Sequence, residues 1–172
     1  NAPPATARLI RFDKTGKFLR EFGKMGSGLE GEFMQPHGLA FDSKGRLFVA
    51  DRSNNRIQIL DAETYKTLDT WYQFSRLSGI YIDKNDIIYG ADSESGSINP
   101  PHGAWRRGIR IGSAKDGKVT AFIPDPTSVG ETLTMVDGKP VMKKADGSDG
   151  ARGTLAAEGV VVDAEGNIYG AE

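Results

Sequence analysis

Short runs of alternating apolar and polar residues, each closed by a turn signal, recur along the chain. Between Gly38 and Phe41 small and apolar residues alternate, Lys44-Gly45 supplies a turn, and Leu47 to Ala50 forms a second run. Arg56-Ile57-Gln58-Ile59-Leu60 alternates with period two, and after a loop around Ala62 to Tyr65 a fourth run covers Thr67 to Trp71. Period two with turn residues between predicts four short antiparallel strands. The first half of this unit returns as Ser78 to Asp83 followed by Ile87 to Asp92, and again as Glu158 to Asp163 followed by Gly166 to Glu172. Gly38, Gly79 and Gly159 hold equivalent places, separated by 41 and then 80 residues. A repeat of this length signals stacked units that cannot bury their apolar faces alone, and four strands in roughly forty residues make the blade of a β-propeller.

The predicted class is all-β, an open propeller of about three four-stranded blades per chain, half of a six-bladed ring. Residues 7–22 read as the outer strands of a split blade, 34–73 as one blade, and 74–126 as a second blade carrying a rim insertion from Ser93 to Gly108. Residues 127–156 form a long connection, with Asp137-Gly138 as a hairpin turn inside Thr132 to Lys143, and residues 157–172 supply the inner strands of a split blade. The glycines that open the inner strands lie where blades converge and a side chain would crowd its neighbour. Asp42, Asp83 and Asp163 read as turn formers, their carboxylates accepting backbone donors.

Three blades cannot close a ring that typically needs about four to eight. Either the chain is part of a longer protein, or two chains pair head to tail, each C-terminal inner hairpin completing the partner's N-terminal outer hairpin. The homodimer is the reading preferred for an ordered form, because it covers strand edges that invite aggregation.

Composition narrows the partners. Of 172 residues, 22 are basic and 23 acidic, so the near-neutral balance gives no footprint for nucleic acid or an anionic membrane. No apolar run approaches the ~18 residues of a membrane span. The chain opens at Asn1 without Met or a signal-like segment, which predicts a processed, trimmed or partial chain. With no Cys a disulfide framework is excluded, and a bacterial periplasmic or secreted location is preferred over a cytoplasmic one. There is no Ser-His-Asp order and no phosphate loop, since the glycines of Gly26 to Gly31 lack a following helix or Lys-Ser/Thr pair.

Pro36-His37-Gly38, Val49-Ala50-Asp51-Arg52 and Asn55-Arg56-Ile57-Gln58 together resemble the NHL repeat over about forty residues. The broader run from Ala7 to Asp92 resembles the propeller of peptidyl-alpha-hydroxyglycine alpha-amidating lyases, through Gly16-Lys17-Phe18, the Gly26 to Gly31 loop, Pro36-His37 and Val49-Ala50-Asp51-Arg52. That resemblance implies an NHL-type propeller in which His37 would be one of three zinc-binding histidines and Arg52 would hold substrate charge. The sequence departs from that pattern at Ser78 and Glu158, which occupy the places equivalent to His37, and at Pro3-Pro4-Ala5-Thr6, where a catalytic Tyr is expected.

Repeat equivalence alone sets His37, Ser78 and Glu158 at the mouth of a central channel. His37 and Glu158 are candidate ligands for zinc or calcium there, against the alternative that the imidazole simply caps the strand entrance through a backbone hydrogen bond. Arg52, Arg56, Asp51 and Asp92 are expected first as inter-blade salt-bridge partners, with Arg52 also a candidate for ligand binding or catalysis. In the rim insertion His102, Trp105, Arg106 and Arg107 are candidate ligand contacts. The predicted function is a binding scaffold for a peptide, glycan or small metabolite at the channel mouth and rim loops; the alternative is a metal-dependent enzyme resembling the amidating lyases or a propeller lactonase.

Overall fold

The computed structural model describes residues 6–95, 105–125 and 157–171, together with the backbone of two short strands at 132–136 and 139–143. Strands β1 (Leu9–Phe12) and β2 (Phe18–Phe22) form an antiparallel pair, and β3 (Lys24–Met25) lies parallel to β4 (Glu32–Phe33). Next come β5 (Pro36–Phe41), β6 (Arg46–Asp51), β7 (Arg56–Asp61) and β8 (Thr67–Trp71), hydrogen-bonded in sequence order as one four-stranded sheet. A second such sheet is made by β9 (Gly79–Ile82), β10 (Ile87–Asp92), β11 (Gly108–Ser113) and β12 (Val119–Pro124). Strands β13 (Thr132–Val136) and β14 (Lys139–Lys143) pair with Val136 opposite Lys139, leaving two residues for the turn; Asp137 and Gly138 themselves lie outside the described residues. The last pair is β15 (Gly159–Val162) with β16 (Ile168–Ala171). The two four-stranded sheets are whole propeller blades, and the pairs β1–β2 and β15–β16 have the make-up of half blades.

One device makes four of the tight turns. Asp42 Oδ1 accepts the backbone N–H of Lys44 at 3.1 Å and of Arg46 at 2.8 Å, closing the β5–β6 hairpin. Asp83 repeats this with Asn85 and Ile87, Asp163 with Glu165 and Asn167, and Asp13 with Thr15 and Lys17. A carboxylate two residues ahead of a turn satisfies donors that the hairpin leaves unpaired. Three of the four turns then place glycine at the left-handed position, for example Gly45 at φ +75°. The β9–β10 turn instead has Asp86 at φ +62°, where a side chain is disfavoured.

Asp86 offsets that cost across the blade boundary. Its carboxylate accepts the Ser43 N–H at 2.8 Å and the Ser43 hydroxyl at 2.7 Å, tying the second whole blade to the first. These bonds hold the Asp86 carboxyl below the ordinary carboxylate range. With the folded pKa under the unfolded value of about 3.9, the contribution is complete above that value and is lost as pH falls through the folded pKa. Asp86→Asn is therefore expected to reduce the fall in urea midpoint between about pH 6 and about pH 3. An unchanged pH slope would show that the Ser43 contacts do not stabilise the charged form.

The core lies between blades rather than within them. Phe48, Ala50, Ile57, Ile59 and Trp71 of the first whole blade pack against Ile80, Ile82 and Ile88 of the second, with Phe74 and Leu77 from the connection filling the space between. On the other face of the first blade, Leu47, Val49, Leu60 and Tyr65 pack against Ala7, Leu9, Phe22 and Phe33. Alternate residues of each strand thus serve opposite interfaces, as the period-two pattern requires. Among the described residues no helix is long and apolar enough to cross a membrane.

Candidate functional site at the channel mouth

The inner strands approach one another at their first residues. A Cβ on Gly38 would stand 2.8 Å from the Ser78 carbonyl oxygen, and one on Gly79 would overlap the Glu158 carbonyl. Each inner strand thus lays its opening glycine on the residue that precedes the next one, which places His37, Ser78 and Glu158 in consecutive order across the starts of the inner strands. The exposed His37 ring sets Nδ1 at 3.0 Å from the Ser78 carbonyl oxygen. A carbonyl only accepts, so Nδ1 is the donor in this contact.

Beside it is a cluster of charge and hydroxyl groups drawn from both whole blades. Arg52, in the short helical turn that follows β6, reaches Glu94 with Nη1 to Oε1 at 3.2 Å, and Arg76 donates Nε to the other Glu94 oxygen at 2.8 Å. Arg76 also bonds the Arg52 carbonyl at 3.3 Å and Ser53 Oγ at 3.4 Å. Ser78 Oγ lies 2.7 Å from Ser93 Oγ and 3.5 Å from Arg52 Nη1. Both arginine side chains are largely buried, and Arg52 Nε has no hydrogen-bond partner among the described residues. A guanidinium with a buried, unbonded N–H is short of an acceptor.

The charged residues expected as inter-blade partners divide into two kinds. Arg52 does cross from the first whole blade to Glu94 beyond the second blade's β10. Asp51 with Arg56 and Asp92 with Arg110 instead close inside single blades, at 2.8 and 3.0 Å. The reason is register: Asp51 stands directly opposite Arg56 across β6 and β7. Arg56 then bonds the carbonyls of Ser27, Gly28 and Glu32, so it shapes the Gly26 to Gly31 loop.

In the rim insertion His102 lies outside the described residues. The Arg110 guanidinium lies over the rings of both Trp105 and Phe122, with centroids at 4.7 and 4.8 Å, a cation–π arrangement. These residues and the exposed Arg106 line a shallow cavity of about 310 Å³. Arg107 points the other way: its side chain is buried and faces Asp125 at 3.4 Å, so it serves the blade interior.

The zinc centre implied by the lyase resemblance needs three histidines, and this mouth supplies one. Ser78 is buried with its hydroxyl engaged, Glu158 occupies the third place, and among the described residues no group of three His, Cys, Asp or Glu side chains is set to hold a metal. The donor set of the described residues does not fit that centre. Sequence reading also passed over Arg76, Glu94 and Ser93. The signal available for Arg76 was its place two residues before Ser78, and none was available for Glu94.

Comparison with known proteins agrees with the repeat. The NHL repeat family profile matches residues 33–60. Protein lin-41 of Caenorhabditis elegans is 57% identical over 42 residues, 24% of this chain and 4% of that protein. Human NHL repeat-containing protein 3 is 41% identical over 64 residues, 37% of this chain and 18% of its own. Mouse peptidyl-glycine alpha-amidating monooxygenase is 39% identical over 62 residues, 34% of this chain and 6% of its own. The chain therefore spans less than a fifth of each of these curated relatives. Among solved structures, a protein of unknown function from Bacteroides caccae superposes with TM-score 0.51 at 17% identity, covering 73% of this chain and 44% of that one, a likeness of fold alone. Profile, relatives and sheet order converge on one statement: the chain carries an NHL repeat within an all-β fold of NHL-type propeller blades.

Proposed function

We propose that this NHL-repeat propeller is a binding scaffold whose channel mouth takes the anionic end of its ligand, a carboxylate first of all, on Arg52 and Arg76. The observation that carries this reading is the largely buried Arg52 guanidinium, with an unbonded Nε, sharing Glu94 with a second arginine. A carboxylate offers two acceptors in the plane that a guanidinium fork presents, and the bond is charge-assisted. The exposed His37 ring, held on the Ser78 carbonyl, suits an amide group of a peptide end.

The test compares labelled peptides that differ only in a free or an amidated C-terminus. Free peptides are expected to bind at least about tenfold tighter, and Arg52→Ala to remove that preference, the size of one lost charge-assisted bond. Equal binding of both forms, with the variant's melting curve unchanged, would sink the proposal. The exposed His37 ring, with Nδ1 engaged by the Ser78 carbonyl, supports the metal-dependent reading as the second one. Stoichiometric zinc or calcium in the purified protein, lost in His37→Ala, is the result that would favour it.

A further inference from the structure

The boundary between the two whole blades has a complete four-stranded sheet on each side, and its charges can be counted. Arg52 and Arg76 share one carboxylate, Glu94, through Nη1 to Oε1 at 3.2 Å and Nε to Oε2 at 2.8 Å. The buried acids at the adjoining strand ends are already matched, Asp51 with Arg56 and Asp92 with Arg110. Among the described residues no ion pair joins either Arg52 or Arg76 to Glu158. Two guanidiniums against one carboxylate leave the cluster with a single net positive charge.

The negative member of the cluster is fixed in place. Asp92 Oδ1 accepts the Glu94 N–H at 3.3 Å and the Ser95 N–H at 2.8 Å, and Oδ2 accepts the Ser95 hydroxyl at 2.6 Å. The backbone that carries Glu94 is therefore pinned to a buried carboxylate. Arg76 is held as well, since Nη1 donates to the Arg52 carbonyl and Nη2 to the Ser53 hydroxyl, so each of its nitrogens has an acceptor. Arg52 Nε has none. A ligand anion drawn to Arg52 thus meets the Glu94 charge beside it.

We propose that Glu94 is the specificity-determining residue of the mouth: resting on the carboxylate reading above, it sets the cluster to select a singly charged carboxylate end and to reject a doubly charged phosphate or phosphonate. A carboxylate brings the cluster to neutrality. A phosphate monoester, with a charge of about −1.5 to −2 at neutral pH, leaves negative charge uncompensated beside Glu94. In a largely buried cluster that excess is poorly screened by water. Without Glu94 the same two guanidiniums would suit the dianion, because arginine forks match phosphate as well as carboxylate. A fixed like charge excludes what attraction alone would admit.

The test uses one labelled peptide ended at pH 8 by a glycine carboxylate, by aminomethylphosphonate in its place, or by a glycine amide. The unaltered protein is expected to bind the carboxylate at least about tenfold tighter than the phosphonate. Glu94→Gln keeps the size of the side chain and is expected to lower that ratio at least about fivefold, whereas Arg76→Gln, which makes the cluster neutral, raises it by as much. The double variant restores one net positive charge and returns the ratio to its original value, which keeps the test standing where a single variant unfolds. Glu165→Gln makes the same change of charge on the exposed turn at the far end of β15–β16 and leaves the ratio alone. A ratio unmoved by Glu94→Gln, moved alike by both single variants, or already in favour of the phosphonate in the unaltered protein would overturn the proposal, while a persisting preference for carboxylate over amide would keep the carboxylate reading. Equal binding of carboxylate and amide by the unaltered protein would remove both.

Discussion

Asp51→Ala is expected to lower stability by about 3–5 kcal/mol, the range found when one partner of a buried ion pair is removed. Asp51 is fully buried and accepts from four groups: the Met34 N–H at 2.6 Å, Asn54 Nδ2 and Arg56 Nε at 2.8 Å, and Gln58 Nε2 at 3.3 Å. Deleting the carboxylate leaves the Arg56 guanidinium buried without a counter-charge and the Met34 N–H without an acceptor. Arg56 also fastens the Gly26 to Gly31 loop, so the loss spreads to the segment that leads into β5. Against a total of about 5–15 kcal/mol for a folded domain, such a loss is a large share. Urea unfolding followed through Trp71 measures it. A change below about 1 kcal/mol would mean that the pair is solvated or dispensable.

Gly79→Ala is the second large effect, and its cause is geometric. The added Cβ would overlap the Glu158 carbonyl and come within 3.0 Å of the Gly159 Cα, both of them backbone that cannot turn aside as a side chain can. Overpacking of this kind costs about 1–3 kcal/mol or more, because two strands must separate. Gly38→Ala is expected to cost less: its neighbours are the Ser78 carbonyl at 2.8 Å and the Ile80 side chain at 3.0 Å, and the latter can shift. Thermal melts of the two variants side by side test the order. If Gly38→Ala proved the more damaging, the contact between the second inner strand and β15 would not be the tighter of the two.

Sequence reading reached what local chemistry encodes. An Asp ahead of a turn, a strand of alternating residues and a glycine at a fixed place each leave a mark within a few positions, so blades, turns and the converging inner strands could be placed from Gly38, Gly79 and Gly159. The Asp51–Arg56 pair was expected between blades and lies within one, because the choice depends on which residue stands opposite across β6 and β7. Asp86 carried no mark: it sits where the other turns have glycine, and its reason is Ser43 on the neighbouring blade. The charged cluster at the mouth was half visible. Arg52 follows a motif, but Arg76 and Glu94 come from irregular segments at either end of the β9–β10 hairpin, and three chain distances had to close before they met.

The turn at Asp86 has a consequence for how the repeats can diverge. Wherever glycine fills that corner, the left-handed backbone carries no side-chain strain and needs no neighbour to offset it. The β9–β10 hairpin differs, since its left-handed Asp86 is offset by a serine in the preceding unit, and moving it beside a unit without that hydroxyl would leave the strain at Asp86 uncompensated by a neighbour.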